Sequence, residues 1–155
     1  MIDTCVTGPS GFIGKRLLEK LGSTVKTIPH YEIHSSTYQD YDRLFFLSAY
    51  GNMAHHTDHR TMVKSNVSDL IFILDNLFWG WLCYVSTSSV TLPVQTPYSR
   101  TKRAAEEILQ ALPELKSCIV RPYSVTGVGE QKEHLIPTLI RSCMEGEEMP
   151  FDPYP

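Results

Sequence analysis

The sequence predicts an α/β fold built on a mainly parallel sheet, and three observations carry that prediction. Short apolar runs that read as strands alternate with segments of helical periodicity along most of the chain. A glycine-rich turn, Thr7-Gly8-Pro9-Ser10-Gly11-Phe12-Ile13-Gly14, stands between the first apolar run and the first helical segment. Glycine and proline mark the element ends at Gly22, Pro29 and Pro113. Strands joined through helices connect in the right-handed sense, which makes their neighbours parallel.

Residues 2–7 read as a buried strand. The helix after it places Ile13, Leu17, Leu18 and Leu21 on one face, and Gly22 closes it. Residues 24–28 form a second β-rich run stopped by Pro29, and residues 29–42 are polar and turn-like with no helical pattern. Leu44-Phe45-Phe46-Leu47 is a third buried run. Val63, Val67, Leu70, Ile71, Leu74, Leu77 and Phe78 then follow helical spacing, which predicts one long amphipathic helix over 63–78. Residues 81–85 read as a strand, 99–112 as a helix with Ala104, Ala105, Ile108, Leu109 and Leu112 inward, and 117–120 as a strand. Leu135, Ile136, Leu139, Ile140 and Met144 mark a last helix, with Pro137 tolerated in its first turn. A single domain over 1–155 is expected, with an irregular tail from about 146.

Composition narrows the function classes. Hydrophobic residues are 42%, charged residues 20% and the net charge is −3, as in an ordinary soluble domain. With no basic block, nucleic acid is not an expected partner. The most apolar stretch, 70–85, is broken by Asp75, Asn76 and Gly80, so no membrane span is expected. Because residues 2–7 already read as the first strand, no leader is expected. Cys5, Cys83, Cys118 and Cys143 have no CxxC spacing, and the first three sit in strand-like runs. They read as core thiols, which fits a reducing, cytoplasmic location. The sequon Asn66-Val67-Ser68 is discounted on the same ground.

The glycine turn has the setting of a dinucleotide-binding loop, between a strand and a helix, although its GxxGxxG spacing departs from GxGxxG. Gly8 permits the tight turn, Gly11 lets the backbone approach phosphates, and Gly14 lets the helix pack close to the sheet. The helix start, with Ser10, Phe12 and Ile13, faces a pyrophosphate with free N–H groups and a partial positive charge. No acid ends the second strand to hold a ribose; Ile28-Pro29-His30-Tyr31 stands there and Glu32 comes later. His30 facing a 2′-phosphate leans the cofactor toward NADP, against the alternative of a solvated loop histidine.

Tyr98 and Lys102 are four residues apart and share a helix face. A phenol has an unperturbed pKa of about 10, and a nearby ammonium favours its ionised form. Tyr98 is therefore expected to exchange a proton with a sugar hydroxyl while hydride moves between the same carbon and a nicotinamide. Lys102 also suits the nicotinamide ribose. The hydroxyl run Val85-Ser86-Thr87-Ser88-Ser89-Val90, just ahead of Tyr98, supplies a group to orient the substrate oxygen.

Taken together, these motifs resemble the extended short-chain dehydrogenase/reductase family, the NAD-dependent epimerase/dehydratases of the nucleotide-sugar type. The resemblance runs from Ile2 to about Met149. It includes Phe46-Leu47-Ser48-Ala49, like the family's HLAA beside the cofactor, and Asn66-Val67, like its NV near the nicotinamide. Arg121-Pro122-Tyr123-Ser124-Val125-Thr126-Gly127 resembles RPxNVYG, and Leu135-Ile136-Pro137 resembles the LIP that follows. What this implies is a Rossmann-like three-layer α/β/α fold with NAD or NADP as cofactor. Thr87, Tyr98 and Lys102 become the catalytic set, with Ser88 as the reserve hydroxyl and substrate contact. Gly8, Ser10, Gly11, Phe12, Ile13, Gly14, His30, Leu47, Ser48, Ala49, Asn66, Ser86, Tyr98, Lys102 and Pro122 fall beside the cofactor. Ser124, standing for the family's Asn, falls beside the substrate, and no metal is required.

The departures are also informative. Only about fifteen residues separate the second strand from Leu44, so the adenosine side reads as trimmed, and most of the C-terminal substrate domain is missing. Ser88 and Ser89 stand where 4,6-dehydratases carry an acidic pair, which leaves nucleotide-sugar epimerase or ketoreductase. The alternative is a non-catalytic or partner-completed dinucleotide-binding module. By resemblance, helices 63–78 and 99–112 form a homodimer interface. His55, His56 and His59 read as a solvated helix start rather than a metal site, and Trp79 and Trp81 as core or interface.

Overall fold

A computed structural model describes residues 3–35, 40–53 and 55–147. Thr4–Thr7, buried throughout, forms β1. Helix α1 spans Phe12–Leu21, β2 Lys26–Ile28, and a 3-10 helix His30–Ser35. Strand β3 spans Asp40–Phe46. Helix α2 covers His59–Val63, a π turn Lys64–Ser68 and α3 Asp69–Asn76. Strand β4 runs Phe78–Val85, a 3-10 turn Ser88–Thr91, α4 Pro97–Gln110 and β5 Ser117–Val120.

All five strands are parallel in the order β2-β1-β3-β4-β5. This is the Rossmann-like α/β arrangement expected. Right-handed crossovers put α1 on one face, because β1 to β2 steps one way, and the later helices on the other, because β3, β4 and β5 step back. The core lies on the latter face: Leu44 and Phe46 of β3 and Leu82 and Tyr84 of β4 pack with Leu70 and Ile73 of α3 and Ala105 and Leu109 of α4. Phe46 and Tyr84 are directly paired across the strands, with ring centroids 5.6 Å apart.

Several expectations are corrected. The long helix is not continuous to Phe78; it begins at His59, carries a π turn at its middle and ends at Asn76. The strand after it starts at Phe78, three residues early, because Gly80 lies so close to Asp42 O that a Cβ would sit 2.9 Å from it. The polar linker holds a 3-10 helix, and β3 begins at Asp40 rather than Leu44. Residues 36–39 and Ile2 lie outside the described residues. Cys5 and Cys83 are core thiols, but Cys118 and Cys143 are exposed. Cys118 pairs with Cys83 at the sheet edge, on the face opposite Tyr84 and Ile119. Trp79 packs against the core and Trp81 meets Phe45 edge-on at 5.8 Å.

Contacts group the chain into two units, Met1–Tyr123 and Ser124–Pro155. In the second, α5 spans Leu135–Glu145 with His134 at its start and ends at Gly146, whose φ of 68° is the left-handed cap that glycine favours. His134 Nδ1 lies 3.1 Å from Glu130 Oε1, and Ser124 is exposed. Residues 148–155, most of the expected tail, lie outside the described residues. Among the described residues no helix is long and apolar enough to cross a membrane.

Candidate functional site

Parallel strands end on one edge, so the turns after β1, β3 and β4 come together there. Thr7 Oγ1 ties two of them, accepting the N–H groups of Leu47 and Ser48 at 3.1 and 3.2 Å. Gly8 has a φ of +66°, and a Cβ on it would lie 2.9 Å from Ser48 N. A Cβ on Gly14 would fall on Gly8 O. Gly11 differs: its Cβ would meet only Gly8 O, at an ordinary 3.5 Å. Gly11 is also the N-cap of α1, with no side chain capping the helix and no acid in its first turn. The orphan N–H groups of that turn therefore face outward unneutralised. Ser10 is exposed, and Phe12 and Ile13 are half-buried beside it.

Helix α4 starts two residues earlier than its periodicity predicts. Thr96 caps it by accepting Ser99 N–H at 3.2 Å, and Pro97 takes the first position, where a missing N–H is harmless. Tyr98 and Lys102 thus lie one turn apart on a formed helix. Lys102 is only 1% exposed. Its Nζ donates to Val85 O at 2.7 Å and sits 4.2 Å above the Tyr84 ring. Burial pulls its pKa down to about 7, against a smaller upward pull from Glu106. Burial also pushes the Tyr98 phenol up, so the expected lowering by Lys102 does not prevail in this structure.

The hydroxyl run is divided by its structure. Ser86 is buried at the end of β4, where its hydroxyl helps hold the Glu106 carboxylate. Thr87 caps the 3-10 turn; its Oγ1 is 2.9 Å from Ser89 Oγ and accepts Ser89 N–H at 3.3 Å. Ser88 N donates to Pro122 O at 3.1 Å, which joins the segments after β4 and β5. At the end of β3, Ser48 is buried with an unpartnered Oγ, Leu47 is half-buried and Ala49 is exposed.

Asn66, expected beside the cofactor, is held by protein partners. It is fully buried in the π turn. Its Oδ1 accepts Tyr50 N–H at 2.9 Å, and its Nδ2 donates to Tyr50 O at 2.8 Å and Thr101 Oγ1 at 2.9 Å. Both amide protons are engaged, so Asn66 positions the loop after β3 and the helix carrying Lys102. The same burial removes it as a glycosylation acceptor in the folded chain. Asn66→Ala is expected to destabilise the fold by about 2–4 kcal/mol, because it removes three hydrogen bonds made by a buried side chain and leaves the half-buried backbone groups of Tyr50 without them. Urea unfolding measures this, and a midpoint within error of the parent would contradict it.

The histidines also differ from expectation. His30 Nδ1 lies 3.1 Å from Asp69 Oδ2, and His34 Nε2 lies 2.7 Å from Asp69 Oδ1. Asp69 is completely buried, so the 3-10 helix is pinned to α3. Of the three histidines read as a helix start, only His59 opens α2. His56 precedes it, stacked on Tyr50 at 4.3 Å and accepting Gly51 N–H at 3.3 Å. Burial and His55 both lower its pKa.

One pair escaped the sequence reading altogether. Glu106, 3% exposed, accepts a fork from Arg121: Nε at 3.0 and 3.2 Å and Nη2 at 2.6 Å. Burial opposes ionisation of Glu106, but the hydrogen bonds from Arg121 and Ser86 and the charges of Arg121 and Lys102 hold its carboxyl below the usual range. The available signal was a carboxylate four residues after Lys102 on a face otherwise occupied by Ala105 and Leu109.

A Rossmann-like α/β domain with a glycine turn after β1 is the class that this sheet defines. The sequence matches the model of the NAD dependent epimerase/dehydratase family over residues 62–153. The chain belongs to that family. Comparison with curated proteins gives no match. Among solved structures it is similar to RMD from Pseudomonas aeruginosa complexed with NADPH, with 21% identity and a TM-score of 0.73, covering 94% of this chain and 63% of that one. It is also similar to UDP-glucuronic acid 4-epimerase from Bacillus cereus in complex with NAD, with 20% identity and a TM-score of 0.74, covering 94% and 64%. A dTDP-glucose 4,6-dehydratase double mutant from Streptomyces venezuelae, with NAD and DAU bound, gives 16% identity and 0.73, covering 96% and 64%. The chain thus spans less than two thirds of the length of these structures.

Proposed function

We propose that this chain binds NAD or NADP on its glycine turn and acts as a nucleotide-sugar epimerase or ketoreductase through Thr87, Tyr98 and Lys102. The observation that carries the reading is the buried Lys102 ammonium, one turn from Tyr98, hydrogen-bonded to the end of β4. That strand end lies on the same sheet edge as the uncapped start of α1. The donor set fits a dinucleotide. The open Cβ position of Gly11 and the uncapped first turn of α1 suit a pyrophosphate. Ser48 offers a buried, unpartnered hydroxyl at the end of β3. Solved structures of the same fold contain NADPH or NAD, which supports the class of cofactor without choosing between the two.

When bound, the nicotinamide supplies or accepts hydride. The chain's own groups handle the proton. Tyr98, neutral where burial pushes its phenol up, is set to give a proton to a forming hydroxyl. Lys102 stands one turn along α4, and Thr87 offers a hydroxyl hydrogen-bonded with Ser89 Oγ. Ser88 and Ser124 are the proposed sugar contacts. Tyr98→Phe is expected to lower turnover by 100-fold or more while NADH binding is unchanged. NADH and NADPH fluorescence titrations followed by assays on UDP-, GDP- and dTDP-sugars measure both. Equal turnover of the variant and the parent would overturn the proton role.

A second reading rests on the same phenol. If the raised Tyr98 stays neutral throughout, the chain is a dinucleotide-binding module that is non-catalytic or completed by a partner. Binding without turnover on any sugar selects it. In either case the proposed unit is a homodimer through 63–78 and 99–112, where Val63 and Ile71 are exposed. A monomeric mass by light scattering at micromolar concentration counts against the dimer.

A further inference from the structure

Lys102 is enclosed, and the groups around it are few. Its ammonium has the Val85 carbonyl as a hydrogen-bond acceptor and the Tyr84 ring beneath it. Neither is a counter-charge. An ammonium removed from water prefers to lose its proton unless an opposite charge holds it. The carboxylate that acts on it is Glu106, one helical turn on and also buried. Glu106 would itself favour the neutral acid in such a place. Arg121, arriving from the end of β5, prevents this with its two-nitrogen fork. The result is an alternating row: Arg121 positive at the surface, Glu106 negative inside, Lys102 positive further in.

We propose that Glu106, clamped by Arg121, is the positioning residue that keeps the buried Lys102 side chain in its ammonium form. This deepens the proposed function, since Lys102 supports Tyr98 only while it is charged. The other titratable groups near Lys102 are neutral phenols, Tyr84 on β4 and Tyr98 on α4, both pushed up by burial. Among the described residues, the π turn, α2 and the 3-10 turn packed on α4 carry no carboxylate. The π turn contributes buried Ser65 and Asn66 with Lys64 exposed, α2 contributes exposed His59 and Arg60, and the 3-10 turn Ser88–Thr91 carries no charge. Burial already brings Lys102 to about 7 with Glu106 in place. Its loss therefore leaves a neutral amine at neutral pH.

The titration of Lys102 tests this directly, by 13Cε NMR of the full chain without cofactor or substrate. The resonance is assigned by its absence from Lys102→Met. Glu106→Gln keeps the shape and an acceptor for Arg121 but removes the charge. The Lys102 midpoint is expected to fall by about one pH unit or more, a tenfold or greater loss of proton affinity. A folded Glu106→Gln chain with an unmoved midpoint overturns the proposal, because a purely structural role would lower the melting temperature and leave the titration alone. If that variant does not fold, Glu106→Asp, which withdraws the charge by one methylene, is expected to shift the midpoint less in the same direction; no shift overturns the proposal equally. NADH binding is measured separately. A chain that binds no dinucleotide yet shows the shift loses the proposed function and keeps this inference, and the reverse result does the opposite.

Discussion

Gly14→Ala is expected to cost at least about 3 kcal/mol and to abolish dinucleotide binding with it. The added Cβ falls on Gly8 O, a backbone atom in the turn whose own conformation requires glycine. Neither partner can move cheaply. Gly8 is wedged against Ser48 N and Leu47 at φ +66°, and Thr7 Oγ1 ties the end of β1 to the same two residues. Gly14 is buried on α1. Gly11→Ala is the contrasting change. Its φ of −69° suits any residue, and its Cβ meets only one atom at 3.5 Å. Its stability is expected within about 0.5 kcal/mol of the parent, with NADH affinity reduced. Urea unfolding and fluorescence titration on both variants separate packing from ligand approach. Equal destabilisation of both would show that Gly11 serves the fold.

Lys102→Met is expected to raise the melting temperature by roughly 5–10 °C at pH 6, with the gain shrinking toward pH 10. The native pKa of Lys102 is lowered from 10.5 to about 7. Between those values the unfolded chain holds a proton that the native chain has lost, so this residue adds stability as pH rises. Below pH 7 both states carry the proton, and the native state bears the desolvation in full. Methionine fills similar space and needs no counter-charge. It forfeits the bond to Val85 O, about 1 kcal/mol, which is smaller than the several kcal/mol that burial of the ammonium costs. The parent's own stability turns over in alkali for the opposite reason. Burial pushes Cys5 from 9.0 and Tyr41 from 10.0 to about 12, so what they contribute is complete below their unfolded values and lost as pH rises toward 12. Melts from pH 6 to pH 10 check this, and a variant that melts no higher than the parent at pH 6 would contradict it.

The order of strands and helices, the glycine turn and the pairing of Tyr98 with Lys102 on one helix were legible in the sequence. Strand β5 falls on the residues expected, 117–120, and α5 begins at the expected Leu135. These features depend on periods of two and 3.6 residues and on turn chemistry, which act between near neighbours. What the sequence did not reveal acts across distance. The break in the long helix is a π turn that carries Asn66 inward to Tyr50 and Thr101, and apolar periodicity is blind to it. His30 meets Asp69 only because β3 returns the chain beside β1 and α3 packs on the 3-10 helix. Cys118 is exposed because it stands on the edge strand, a property of sheet order rather than of composition.

The sequence by itself therefore determined the kind of sheet, the glycine turn and the placing of Tyr98 and Lys102 on one helix. Only the tertiary structure decided the charge around them. Glu106 and Arg121 are fifteen residues apart and meet because the crossover from α4 to β5 brings the strand end back beside the helix. A buried charge is governed by which groups surround it in space, and that set is assembled only when the chain folds.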